Sequence, residues 1–155
     1  MFNPPNGWLY NSNNWPWSAA GPDNSPKRND YPAYVDRGTE ESARGEHALR
    51  VLPSRTDYTI DSLIATGFDS YLPWFADHLP ALLKAWDAEP PGSAFKTKLA
   101  EPIETLRHWD YRWSTSSIPT SLAVYWGEAI GNRVNRASPA DLLLSLIHIS
   151  EPTRH

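Results

Sequence analysis

Proline decides what this chain can build. Fifteen of its 155 residues are Pro. Each locks φ and removes a backbone donor, so a helix can start at proline but cannot run cleanly through one. The apolar periodicity is therefore cut into short lengths. Thr39 with Glu40 and Glu41 makes a helix start, since first-turn carboxylates complement the helix dipole, and that helix ends by Pro53. Thr59 caps a second helix, in which Ile60, Leu63, Ile64, Gly67, Phe68, Tyr71, Leu72 and Phe75 recur every three or four residues. They lay one apolar stripe that Pro73 kinks or restarts. Trp74, Leu79, Leu82, Leu83 and Trp86 carry a further segment to the Pro90-Pro91-Gly92 break. Another helix is expected over residues 95–109, with Leu99, Ile103, Leu106 and Trp109 on one side. The last spans residues 120–134 through Leu122, Tyr125, Trp126, Ala129 and Ile130. The chain reads as mostly α-helical.

Residues 3–17, NPPNGWLYNSNNWPW, are the exception. The run opens on turn-formers, because proline presets φ while Gly and Asn tolerate positive φ. Trp8, Leu9 and Tyr10 then read as a short strand, and Asn11, Ser12, Asn13 and Asn14 fall where it ends. Amides clustered at a strand end, flanked by Trp8, Trp15 and Trp17, can aim side-chain N–H groups into an aromatic-walled pocket. A neutral amide held that way is suited to stabilising an oxyanion. Without its surroundings, an Asn-Asn pair before an aromatic is only a turn. Residues 18–34 show neither helical nor strand period, and a loop of that length in a compact domain is functional or packs on something else. The flanking Trp15, Trp17, Tyr31 and Tyr34 favour packing against parts outside this chain.

The spacing of that Asn run resembles the penicillin acylase family of N-terminal-nucleophile amidohydrolases. The resemblance continues through Asp30-Tyr31-Pro32-Ala33 and a helix over residues 44–52. It returns at Leu106-Arg107-His108-Trp109-Asp110 and at Ser121-Leu122-Ala123-Val124-Tyr125-Trp126, so it covers residues 3–134 in colinear order. It implies an α+β fold whose complete form is a four-layer αββα sandwich, with one or two short N-terminal strands on this helical piece. It implies hydrolysis of a small-molecule linear, non-peptide amide, as in β-lactams or acyl-homoserine lactones, through an acyl-enzyme. Asn13 takes the position of the oxyanion donor, and Arg44 that of an arginine holding substrate and nucleophile surroundings. Asp36 falls one residue from the place where relatives supply a carboxylate to structural calcium; catalysis itself calls for no cofactor.

The nucleophile of such enzymes is a Ser, Thr or Cys bearing its own free α-amino group. The chain has no Cys and begins Met1-Phe2. Residues 1–143 are therefore expected to be an internal piece of a β-subunit, working with the rest of that subunit and an α-subunit in the periplasm or outside the cell. Residues 144–155, which include Leu144-Ser145-Leu146-Ile147-His148-Ile149, resemble the reading-frame translation of a sequencing adapter. They are expected to be a non-native tail without a packing partner.

Charge narrows the partners. A net charge of −4, a pI near 5.7 and no Lys/Arg block argue against nucleic acid or an anionic membrane. No apolar run approaches the roughly 20 residues of a membrane span. His47, His78 and His108 lack metal-ligand spacing and are assigned to helix surfaces, whereas Trp109 and Trp126 read as core. Two other classes compete. A carbohydrate-binding module would use Trp8, Trp15, Trp17 and the Asn cluster, but sugar platforms usually sit on β-sandwiches. A helical interaction domain would use the stripe from Ile60 to Phe75 as a groove. No carboxylate pair is marked out by spacing for a glycosidase.

Overall fold

Capping residues, rather than apolar periodicity alone, decide where each helix begins. The computed structural model describes residues 3–35 and 40–150. The chain forms two compact units, Met1–Asp69 and Ser70–His155.

In the first unit, helix α1 (Ala43–Val51) starts where Ser42 Oγ accepts the backbone N–H of Gly45. The start expected at Thr39 is thus displaced; Thr39, like Asp36, lies outside the described residues. Helix α1 passes into a 3-10 turn, Leu52–Ser54, at Pro53. Helix α2 (Ile60–Gly67) has the expected Thr59 cap, closed reciprocally because Ser62 N donates to Thr59 Oγ1 and Thr59 N donates to Ser62 Oγ. The apolar stripe does not continue as one kinked helix. The residue before a proline is driven out of the α region, and Leu72 has φ −116° and ψ 87°, so Pro73 opens a new helix. On α2 the stripe faces outward: Ile60 is 79% and Phe68 76% exposed.

The expected N-terminal strand is absent; among the described residues there is no strand at all. Strand pairing needs a ladder of bonds, and the segment at Trp8, Leu9 and Tyr10 has one, from Tyr10 N to Ala19 O at 3.0 Å. The partner of that bond comes from residues 18–34, which fold back on the N-terminal run. Asn6 Nδ2 donates to Ala20 O at 2.7 Å, and Ala20 N donates to Ser25 Oγ at 2.9 Å. Gly21, at φ +76°, passes beneath Trp8 so closely that a Cβ there would lie 3.2 Å from the indole ring. The long loop thus finds its first packing partner within the chain.

The second unit is helical. It contains α3 (Pro73–Asp87), α4 (Ala94–Lys98), α5 (Ala100–Arg107), α6 (Ile118–Ile130) and α7 (Pro139–Ser150). The single helix expected over residues 95–109 is divided at Leu99, because the ring of Pro102 would collide with the Lys98 carbonyl and supplies no donor to it. Leu79, Leu82, Leu99, Ile103, Leu106, Trp126 and Ile130 form the centre of the core, each at most 2% exposed. Gly127 lets α6 approach α3, since a Cβ there would lie 3.1 Å from the Phe75 ring and 3.2 Å from Trp74. Helix α6 ends at Gly131 with φ +51°, a conformation that glycine tolerates best. An isolated antiparallel bridge joins Tyr71 to Arg112.

Helix α7 packs on α3 and α6. Its Leu142, Leu143 and Leu146 are buried, Ile149 lies against the same core, and Trp126 Nε1 donates to Leu142 O at 3.4 Å. The segment expected to lack a packing partner therefore has one as far as Ile149, whatever its origin. Leu146→Ala, at a fully buried position, is expected to destabilise the chain by about 2–5 kcal/mol, as such truncations do. Chemical denaturation followed by far-ultraviolet dichroism measures it, and a change within ~0.5 kcal/mol would mean that α7 does not pack.

Candidate active site

The Asn run forms a turn held by its own side chains. Asn13 sits at φ +64°, which Asn tolerates better than most residues. Asn11 Oδ1 accepts the backbone N–H of Asn13 at 2.9 Å, and Asn14 Oδ1 accepts that of Ser12 at 2.9 Å. Asn14 Nδ2 then donates to Trp15 O and to Ser18 Oγ, at 3.1 and 3.0 Å. Asn11 and Asn14 thus spend their side chains on the turn. Asn13 does not. Its side chain is exposed, and its oxygen accepts from Arg44 Nη2 at 3.2 Å.

That contact has a direction. A guanidinium only donates, so the Asn13 edge facing Arg44 must be its oxygen. The amide N–H₂ consequently faces away from Arg44, with no partner among the described residues. The two residues singled out by sequence, 31 positions apart, meet here. Arg44 occupies the first turn of α1, where the helix dipole disfavours a cation.

Glu41 supports the pair, and sequence reasoning had given it only a helix-dipole role. Its Oε1 accepts Ser42 N at 3.0 Å and its Oε2 accepts the Tyr10 hydroxyl at 3.1 Å. Gly45 makes room for this carboxylate, because a Cβ there would collide with Glu41 Oε1. Tyr10 is thereby tied to the start of the helix that carries Arg44. Only the tertiary contact shows this; no local pattern pairs Tyr10 with Glu41. Next to Asn13, the Ser12 hydroxyl is buried with no partner among the described residues.

Trp15 and Trp17 stack at 5.1 Å, and Trp17 meets Tyr31 edge-on at 5.7 Å. An open cleft of about 440 Å³ lies beside them, bounded by Leu9, Tyr10, Asn11 and Tyr31 among others. The aromatics expected to wall the site therefore brace one another.

The remaining singled-out residues are elsewhere. Asp36, the implied calcium ligand, lies outside the described residues, and no three His, Asp or Glu groups converge among the described ones. His108 is exposed and lies 2.7 Å from Glu104 Oε1. His47 and His78 are half-buried rather than superficial. His47 Nε2 lies 2.9 Å from Asp69 Oδ1, and His78 stacks on Trp74 with ring centroids 4.4 Å apart. Trp109 and Trp126 are core residues, 6% and 0% exposed. Among the described residues, no helix is long and apolar enough to cross a membrane.

The penicillin amidase family model matches residues 1–152. The chain belongs to the penicillin amidase family, a family of amidohydrolases.

Tyr10 carries a pH signature. Burial pushes its phenol up to about 12 from the ordinary 10.0, with the Glu41 charge adding and a Ser18 hydrogen bond opposing. The folded chain then keeps a proton that the unfolded chain releases. The stabilisation is complete below pH 10, and is lost as pH rises through about 12. In a phenolate absorbance titration one of the seven tyrosines should ionise last, and Tyr10→Phe should remove that component. Co-titration of all seven would mean that Tyr10 is not seated against Glu41.

Proposed function

We propose that Asn13 is the side-chain oxyanion donor of an N-terminal-nucleophile amidase, and that Arg44 positions it. The observation that carries this reading is the 3.2 Å contact from Arg44 Nη2 to Asn13 Oδ1, which turns the amide N–H₂ outward. The substrate is a small linear amide of the β-lactam or acyl-homoserine lactone kind. The nucleophile, with the amine that takes its proton, comes from outside these 155 residues. It attacks the amide carbonyl, the oxygen gains charge, and Asn13 Nδ2 donates to it beside a second donor. The tetrahedral adduct expels the amine and leaves an acyl-enzyme, and water releases the acid. An amide donor stabilises developing charge most in a water-excluded site. Since Asn13 is exposed here, the neighbouring part of the subunit supplies that cover, and the working enzyme is exported.

Arg44 acts through Asn13 and with its other N–H groups, which have no partner among the described residues and suit a substrate anion.

The purified chain should hydrolyse no penicillin, cephalosporin or acyl-homoserine lactone, because a donor without a nucleophile leaves little acceleration. Turnover that survives further purification would overturn this. In the self-processed enzyme that carries this segment, Asn13→Ala should lower kcat by about 10²–10³, with KM little changed. Asn13→Asp should be at least as damaging. Asn11→Ala and Asn14→Ala should act mainly on stability, since their side chains hold the turn. Arg44→Ala should cost less than Asn13→Ala, and the double variant should be no worse than Asn13→Ala alone, since coupled residues are not additive. Mass spectrometry confirms processing of each variant. Near-normal kcat in processed Asn13→Ala would remove the assignment.

A further inference from the structure

The N-terminal run contains a dipeptide with chemistry of its own. Among the asparagines of this chain, Asn6 alone precedes a glycine. Asparagine is thermolabile because the backbone nitrogen of the next residue can attack its side-chain carbonyl. Glycine has no Cβ to block that approach. In the folded first unit each atom of this reaction is held. Gly7 N donates to Pro4 O at 2.9 Å, so the proton that must leave is engaged. Asn6 Nδ2, the leaving group, donates to Ala20 O at 2.7 Å. Asn6 Oδ1, which gains charge during attack, is buried with no donor against it among the described residues. Developing charge there goes unstabilised.

The Asn6–Ala20 bond is one of several that hold the returning loop on the N-terminal run. Tyr10 N donates to the adjacent Ala19 O at 3.0 Å, and Ala20 N donates to the buried Ser25 Oγ at 2.9 Å. These bonds meet at neighbouring residues, so the loop lifts as a local unit. From these contacts we propose that Asn6–Gly7 is a masked deamidation site, unmasked when the loop over residues 18–34 lifts, and that its conversion is a one-way latch holding the loop open. This inference is independent of the role assigned to Asn13.

Once the loop lifts, Gly7 N gives its proton to water and bonds to Asn6 Cγ. The Cγ–Nδ2 bond breaks, the departing nitrogen takes up a proton, and ammonia leaves a cyclic imide behind. Water then adds to either imide carbonyl and opens the ring. Opening at Cγ leaves aspartate. Opening at the backbone carbonyl leaves isoaspartate, in which the chain runs through the side-chain carbon. The sum is one water consumed and one ammonia released. Where an N–H₂ faced Ala20 O, a carboxylate now stands, and a carboxylate only accepts. Two acceptors cannot bond, so the loop does not close again. Isoaspartate also lengthens the backbone within the turn from Pro4 to Gly7.

The full chain is incubated at mildly alkaline pH with and without guanidinium chloride, and conversion at Asn6 is located by tandem mass spectrometry. Conversion in the folded chain should be about tenfold or more slower than in guanidinium, since it waits on local opening. Ser25→Ala removes the acceptor of Ala20 N. It should speed conversion without denaturant and leave the rate in guanidinium unchanged. Asn6→Gln, whose longer side chain closes the ring poorly, should not convert. The converted fraction, separated by ion exchange, should exchange the Tyr10 amide hydrogen about tenfold faster than the unconverted chain, with α3 to α7 unaffected. Asn6→Asp should reproduce that change without incubation. Equal rates with and without guanidinium would overturn the mask, and so would Ser25→Ala that converts no faster. Absence of conversion even in guanidinium would overturn the site. Converted protein that keeps the Tyr10 amide protected would overturn the latch.

Discussion

An arginine side chain can donate hydrogen bonds but cannot accept them, and the candidate site depends on that asymmetry. Because Arg44 meets Asn13, the Asn13 amide has a defined face, oxygen toward the guanidinium and N–H₂ away. A free Asn would turn either edge outward with similar ease. The turn beneath it is held by Asn11 and Asn14, and α1 is held by its Ser42 cap and by Glu41 bridging to Tyr10. Each of these contacts is weak alone, about 1 kcal/mol for a typical hydrogen bond. Together they fix one amide in one orientation, as an electrostatic catalyst requires.

The helical unit has a different logic. Its core is built by Leu, Ile and Trp side chains that α3, α5, α6 and α7 present to one another. Proline marks helix starts and the α4–α5 break, yet α3, contrary to the expectation that no helix runs cleanly through proline, continues past Pro80. Pro73 starts α3 rather than bending a longer helix, and Pro102 divides α4 from α5. Gly127 sets how closely the Trp74 and Phe75 rings approach α6. Packing at this density makes single positions costly to alter.

The helices up to α6 were legible from residues three and four apart, whereas α7 was not read as a helix. Thr59 was legible as a cap because its hydroxyl needs only the N–H three residues on. Boundaries at Ala43 and Leu99 were not read, since they depend on which of several caps or prolines prevails. The strand at Trp8, Leu9 and Tyr10 was misread for a related reason. Its composition suits a strand, but pairing is a property of two segments, and the segment has one ladder bond to the returning loop. Asn13 and Arg44 were singled out from motif order and do meet, whereas Glu41 as the anchor of Tyr10, Gly45 and the cleft carry no local signal.

Sequence alone determined the family and the helical character, and it singled out Asn13 and Arg44, because those are written in residue types at fixed short spacings. Tertiary structure alone decided that Asn13 and Arg44 touch, which edge of the amide turns outward, and that Ala19, Pro26 and Tyr31 of the returning loop line an open cleft with Asn11. It also decided that Leu146 has somewhere to pack. Each of these depends on contacts between residues distant along the chain, whose partners no local pattern names.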